Sequence, residues 1–182
     1  MTDARSAELR LPTPAREPDR RLLEDVRTHG WHVIRVSSED HSTGWAFSVG
    51  LFYTFRHPEI VIFGRTTEIM HTALDTIGRD IKAGHRFEDR AECDGLLEGA
   101  RCTFRSVQRK WYEAFLGYGL WFYDGTRFPA LQCFWPDRSE RYPWEAGFRS
   151  DWAELQPLLF HDAAEQAGVL PWLQSMGVDG QA

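Results

Sequence analysis

Apolar residues recur along this chain with two periods, near 3.6 and near 2, and the changes between them mark out its elements. From Asp19, Leu22, Leu23 and Val26 form one apolar stripe, and Gly30 after His29 is a suitable left-handed stop, so a short first helix is predicted. Trp31 to Ser37 reads as a strand, Ser38 to Gly44 as a polar turn, and Trp45 to Leu51 as the return strand. In that return strand the bulky Trp45, Phe47, Val49 and Leu51 alternate with Ala46, Ser48 and Gly50, which leaves one face small enough for close approach. Tyr53 to Pro58 interrupts the pattern. Glu59 to Gly64 then forms a nearly continuous apolar run, as expected of a central strand buried on both faces. Thr66 or Thr67 caps the next helix, in which Met70, Ala73, Leu74, Ile77 and Ile81 share one side and Gly84 closes the run.

The second half is less regular. His85 to Ala100 reads as a polar, irregular stretch, whereas Arg101 to Val107 resumes period-two alternation with Cys102, Phe104 and Ser106 on one side. Trp111 to Phe115 is predicted as a helical turn or two and Pro129 to Trp135 as a strand, with short terminal helices over Asp151 to Phe160 and Ala163 to Leu170. These elements predict an α+β fold: a mainly antiparallel sheet, open or barrel-like, with one long helix and short terminal helices. Residues 1–18 carry Pro12, Pro14 and Pro18 among charges and small residues and read as a flexible N-terminal arm; residues 19–182 read as a single domain.

Composition narrows the function classes. A chain of 182 residues with 42% hydrophobic content is able to bury a sizeable core without disulfides or a structural metal. No apolar run approaches the roughly 18 residues needed to span a bilayer, and Met1 to Arg5 is polar with no signal-peptide core behind it. No membrane partner is expected, and the location expected is cytoplasmic. Cys93, Cys102 and Cys133 are odd in number and lack metal-binding spacing, which points to reduced, buried thiols. The net charge of -6 repels phosphate backbones, so no nucleic-acid partner is expected either. Gly-rich dinucleotide fingerprints, phosphate loops and Gly-x-Ser-x-Gly elbows are all missing from the sequence.

Three segments carry a family likeness. Gly30-Trp31-His32-Val33-Ile34, Phe47-Ser48-Val49-Gly50-Leu51 followed by His57-Pro58-Glu59, and Gln132-Cys133-Phe134-Trp135-Pro136-Asp137-Arg138 with Tyr142-Pro143-Trp144 occur in the order seen in the bacterial DUF4262 family. The chain resembles that family from about Leu22 to Phe160. The resemblance implies a bacterial domain and no established reaction. Family members often place a glycine in the turn after the Pro-Asp-Arg segment, where this chain has Ser139-Glu140, so the tightness of that turn is open.

His57-Pro58-Glu59 is the sharpest local feature. Proline pushes the residue before it toward an extended backbone, and the two-residue spacing then places an imidazole and a carboxylate on one side of a strand start. A carboxylate there would orient the histidine and raise its basicity, as a general base requires. His57, Glu59 and, further on, Asp137 are therefore the candidate catalytic groups. The same residues also have a structural use, with Glu59 accepting backbone hydrogen bonds or pairing with Arg56 or Arg65, and His57 capping a loop. The segment Phe104 to Trp152 holds 15 of the 25 aromatic residues, enough to fill a core and also to wall a cavity for an apolar ligand. Trp135, Gln132, Arg138, Tyr53 and Trp144 are the candidate ligand-binding residues. The spacing of His41, His57, His71 and His85 is not diagnostic of metal binding, so no metal ligands are assigned and the cofactor is left unspecified.

Three functional readings follow. The first is a small-molecule-binding protein or enzyme using His/carboxylate acid-base chemistry in an aromatic-lined pocket. The second is a non-enzymatic protein-protein interaction module, which requires exposed tryptophans in a flat patch. A flavin-binding split barrel is a distant third, by analogy of element order alone. A homo-oligomer is compatible with all three.

Overall fold

Burying the helical stripe of Leu22, Leu23 and Val26 organises α1 (Glu17–Thr28), with Pro18 in the first turn, where a missing N–H is harmless. The Asp19 carboxylate accepts the backbone N–H groups of Ala15 at 3.0 Å and Arg16 at 2.9 Å, closing that end. β1 (His32–Val36) and β2 (Trp45–Val49) pair antiparallel. At Gly50, whose φ of 112° suits glycine, the chain turns into the short helix α2 (Leu51–Phe55). β3 (Glu59–Phe63) is buried along its whole length. Thr66 caps α3 (Thr67–Lys82) through its hydroxyl, and Met70, Ala73, Leu74, Ile77 and Ile81 are buried along one face. Each of the larger of these side chains contributes about 1.5–3 kcal/mol by leaving water. β4 (Glu92–Leu97), β5 (Ala100–Ser106), α4 (Tyr112–Phe115), α5 (Gly117–Tyr123), β6 (Ala130–Phe134), α6 (Ala164–Ala167) and α7 (Leu170–Ser175) complete the order, with 3-10 turns at Arg109–Trp111 and Ser150–Leu155.

A computed structural model describes residues 10–37 and 44–176. Residues 38–43 of the expected turn, residues 1–9 of the expected arm and residues 177–182 lie outside the described residues. Within the described residues the sheet has six strands in the order β1-β2-β3-β6-β5-β4, antiparallel at every pairing except β3 with β6, which run parallel. The fold is α+β. The sheet separates two cores by simple strand alternation. On one face Ala46, Ile60, Ile62, Cys102, Phe104, Leu131 and Cys133 meet the apolar side of α3. On the other, Trp45, Phe47, Val49, Val61, Phe63 and Ala130 meet α1, α4, α5 and the C-terminal segment. Cys102 and Cys133 are buried and Cys93 is half-buried, all as free thiols. No helix among the described residues is long and apolar enough to cross a membrane.

The structure departs from the sequence expectation in several places. The sheet is open, with β1 and β4 as its edges, so the barrel-like closure is not formed, nor the split-barrel arrangement behind the flavin reading. The stretch expected to be irregular after His85 contains β4, an edge strand whose polar residues face solvent and whose apolar pair, Leu96 and Leu97, comes at its end; that pattern has no apolar period to read. The interrupted stretch after Leu51 contains α2, and the first of the expected terminal helices is a 3-10 turn ending at Leu155.

Close approach occurs on α3 as well as on β2. A Cβ built on Gly78 would lie 2.3 Å from the Trp31 ring, which is buried and tilted against Phe55 with centroids 6.4 Å apart. Glycine to alanine within a helix ordinarily gains about 1 kcal/mol. Overpacking against a wedged ring costs about 1–3 kcal/mol, so the strain should win. Gly78→Ala is expected to lower the urea midpoint by an amount equivalent to about 1–2 kcal/mol; a raised midpoint would show that Trp31 has room to yield.

Candidate functional site

Glu59 opens β3 and is buried, 1% exposed. Its carboxylate accepts four hydrogen bonds. Ser48 Oγ donates to Oε2 at 2.5 Å, while Oε1 accepts the N–H groups of Gly50 at 2.8 Å and Phe52 at 3.1 Å and the hydroxyl of Tyr123. Ser48 Oγ in turn accepts the N–H of Ile60 at 2.9 Å, and Tyr123 Oη accepts that of Tyr53 at 3.2 Å. The carboxylate thus caps the first turn of α2 from a strand that follows it in sequence, which is why local pattern did not reveal that helix. No cation pairs with Glu59 among the described residues. Burial pushes its carboxyl above the ordinary value, against the pull of its four donors. Burial, and then the adjacent Glu59 charge, push the Tyr123 hydroxyl far up, so it stays a donor.

His57 is equally buried, at 1% exposed, but its partners are different. Nδ1 lies 2.8 Å from the Pro58 carbonyl and Nε2 lies 2.9 Å from the backbone N of Phe87. A carbonyl only accepts and an N–H only donates, so these partners assign the neutral tautomer with its proton on Nδ1. Both ring nitrogens are occupied, and His57 and Glu59 share no hydrogen bond. Burial, joined by the nearby Arg86 charge, outweighs the Pro58 carbonyl and holds the imidazole below its ordinary pKa.

The remaining candidates organise other parts of the molecule. Asp137 Oδ1 accepts the N–H groups of Ser139 at 2.8 Å and Arg141 at 3.1 Å, and Oδ2 that of Arg149 at 3.2 Å. Burial raises its pKa, but these backbone donors more than offset that and hold the carboxyl below the usual range. Gln132 Nε2 donates to the Pro157 carbonyl at 2.6 Å and its Oε1 accepts Leu159 N–H at 3.2 Å, tying the C-terminal segment to β6. Gln156, which the sequence did not single out, makes the matching pair with the backbone of Trp135. Trp135 is buried and donates its indole N–H to the Phe63 carbonyl at 2.8 Å. Trp144 stacks on Tyr142 and packs edge-on against Phe134 and Phe160; Tyr53 packs on Phe122; Arg138 is exposed. None of these residues shares a described cavity with His57.

His57 does line a cleft of about 610 Å³ where β3 and β6 begin and β5 ends. Pro58, Phe87, Val107 and Leu131 give it apolar surface, and three arginines, Arg56, Arg86 and Arg109, line it from three separate segments. Arg56 follows α2 as its C-cap with φ of 54°, a left-handed conformation that costs a non-glycine residue about 1–2 kcal/mol. Its place has a local cause: Pro58 disfavours helix at His57, so α2 must stop here. Among the described residues no group of His, Cys, Asp or Glu is arranged to hold a metal ion; His41 lies outside them.

The family model described as Domain of unknown function (DUF4262) matches residues 25–149. The chain belongs to this family. No curated protein and no solved structure gives a significant match. The DUF4262 span contains Glu59 with all its partners and the whole cleft, whereas Gln156 and the Pro157 and Leu159 contacts of Gln132 fall beyond it. In the turn after the Pro-Asp-Arg segment Glu140 adopts φ of 58° and donates its N–H to the Asp137 carbonyl at 3.0 Å, so the turn is tight without a glycine.

Glu59 variants test the capping role. Glu59→Ala strands two N–H and two O–H donors and should cost about 3–5 kcal/mol. Glu59→Gln keeps one acceptor oxygen and should cost less, about 1–2 kcal/mol near neutral pH. Because the folded carboxyl titrates above the ordinary 4.5, the folded state retains a proton that the unfolded chain releases. Its stabilisation is therefore full below that value and is lost as pH rises through the raised one. Urea titrations across pH should show the gap between native protein and Glu59→Gln moving in the variant's favour as pH rises from 4.5; a gap that does not change with pH would contradict the raised pKa.

Proposed function

We propose that this domain binds a small molecule in the cleft beside His57, and that it works by recognition and not by proton transfer. The observation that carries this reading is the construction of the cleft wall. His57 is held on both sides by backbone groups, between Pro58 and Phe87, so the wall is preformed and its imidazole has no free nitrogen for acid-base exchange. At about 610 Å³ the cleft falls within the range of small-ligand sites. Apolar surface with a few directional groups is the usual chemistry of such sites.

The interaction-module reading needs tryptophans on an open surface. Among the described residues Ile69 is the exposed large hydrophobic side chain, at 36%, and the tryptophans are buried or half-buried. That favours the cleft. The test is a fragment set of mixed charge and polarity, screened by backbone amide chemical shifts on isotope-labelled protein. Hits with Kd on the order of 1 mM should move the amides of His57, Phe87, Ser106 and Leu131 together. A screen whose hits all map elsewhere, or that yields none, would overturn the reading.

A further inference from the structure

We infer that the ligand of this cleft is an oxyanion, a carboxylate or a phosphate ester carried on a small apolar body, held by Arg56 with Arg86 and Arg109. This rests on the cleft reading above and names the chemistry it selects.

Charge balance at the cleft is the first argument. Two acidic residues also line it, Glu88 and Asp89. Asp89 already has partners: it accepts the Ser106 N–H at 2.7 Å and pairs with Arg90 and Arg105, both at 3.5 Å and neither of them a lining residue. Arg56 and Arg109 have no carboxylate within ion-pair distance among the described residues, and the hydrogen bond of Arg86 goes to the neutral Phe55 carbonyl at 2.8 Å. Three arginines therefore line the cleft with one carboxylate that has no ion pair among the described residues, Glu88, in a protein whose net charge is -6. A planar guanidinium fork fits carboxylate and phosphate oxygens in pairs, and a concave wall concentrates its field.

Backbone geometry is the second argument. The C-terminal position after a helix is ordinarily given to glycine or asparagine, yet here an arginine adopts φ of 54°. Its side chain passes the Phe52 ring, with the guanidinium carbon 5.8 Å from the ring centroid. Arg86 bonds the last carbonyl of the same helix, so two of the three cations are fixed to the end of α2 and the third to the 3-10 turn after β5. The apolar surface of Phe87, Val107 and Leu131 beside them sets the second half of the ligand's character.

The position of Arg56 permits a variant that separates binding from folding, because glycine suits its backbone conformation better than arginine does. Benzoate, phenyl phosphate and the neutral isostere benzamide are titrated into native protein, Arg56→Gly and Arg109→Ala, following cleft amide shifts and Tm. At least one of the two anions should bind at least about tenfold more tightly than benzamide, and that preference should shrink as salt rises from about 50 to about 500 mM. Which anion is favoured distinguishes the carboxylate from the phosphate source. Arg56→Gly should weaken the anion at least about tenfold with Tm unchanged or raised, and Arg109→Ala should weaken it as well. Benzamide binding as well as both anions, or anion binding unaltered in Arg56→Gly, would overturn oxyanion recognition while leaving the cleft reading in place. Silence from all three probes also overturns it, and the cleft reading falls too only if the neutral and cationic fragments are silent there.

Discussion

The buried carboxylate of Glu59 is the constraint on which the region around the cleft depends. Taking a carboxylate out of water costs several kcal/mol, and hydrogen bonds from four donors offset much of that cost. The net contribution to stability is then small, and what the arrangement supplies is position. One oxygen gathers the N–H groups of Gly50 and Phe52 and the hydroxyl of Tyr123, and the other is engaged by Ser48. The end of β2, the start of α2, the end of α5 and the start of β3 are thereby fixed at one point. The far end of α2 carries Arg56 and delivers His57 to the cleft, so the wall inherits its placement from a group that does not itself line it.

Much of the fold was legible where periodicity is strong. The stripe from Met70 to Ile81 and the continuous apolar run of β3 each bury against two or more elements, and burial of that extent leaves a pattern in sequence. α2 and β4 left none. A five-residue helix with Leu51 as its buried residue is too short for a period, and its capping acceptor comes from Glu59, beyond its far end. β4 is defined by hydrogen bonding to β5 at the sheet edge, and backbone pairing does not depend on which side chains face solvent.

The candidate site divides in the same way. His57 and Glu59 stand out because Pro58 dictates the local backbone, and the structure places both in buried, fully bonded positions. Their partners were not readable: Tyr123 lies 64 residues from Glu59, and Phe87 lies 30 residues from His57 and acts through its backbone, where residue type carries no signal. The aromatic segment illustrates a different limit. Composition shows that rings are abundant but not which way they face, and many of those between Phe104 and Trp152 pack edge-to-face against other rings, Phe115, Phe122 and Phe134 among them. Phe87 and Tyr112 are the aromatic residues that reach the cleft, and the Tyr112 hydroxyl donates to the Phe128 carbonyl at 3.1 Å.

Rigidity of the cleft then bears on what the domain is able to do. A proton-transfer site needs a group with an unoccupied nitrogen or oxygen and a pKa near the working pH. Buried His57 has no unoccupied nitrogen, since protonating Nε2 would set two N–H donors against each other at 2.9 Å, and burial holds its imidazole below the ordinary pKa. Binding asks for the opposite qualities: fixed walls, groups already desolvated or braced, and little to reorganise when a ligand arrives. The left-handed Arg56 fits that requirement. Pro58 explains why the chain turns left-handed at this position, but a glycine or asparagine would make that turn at less cost than an arginine.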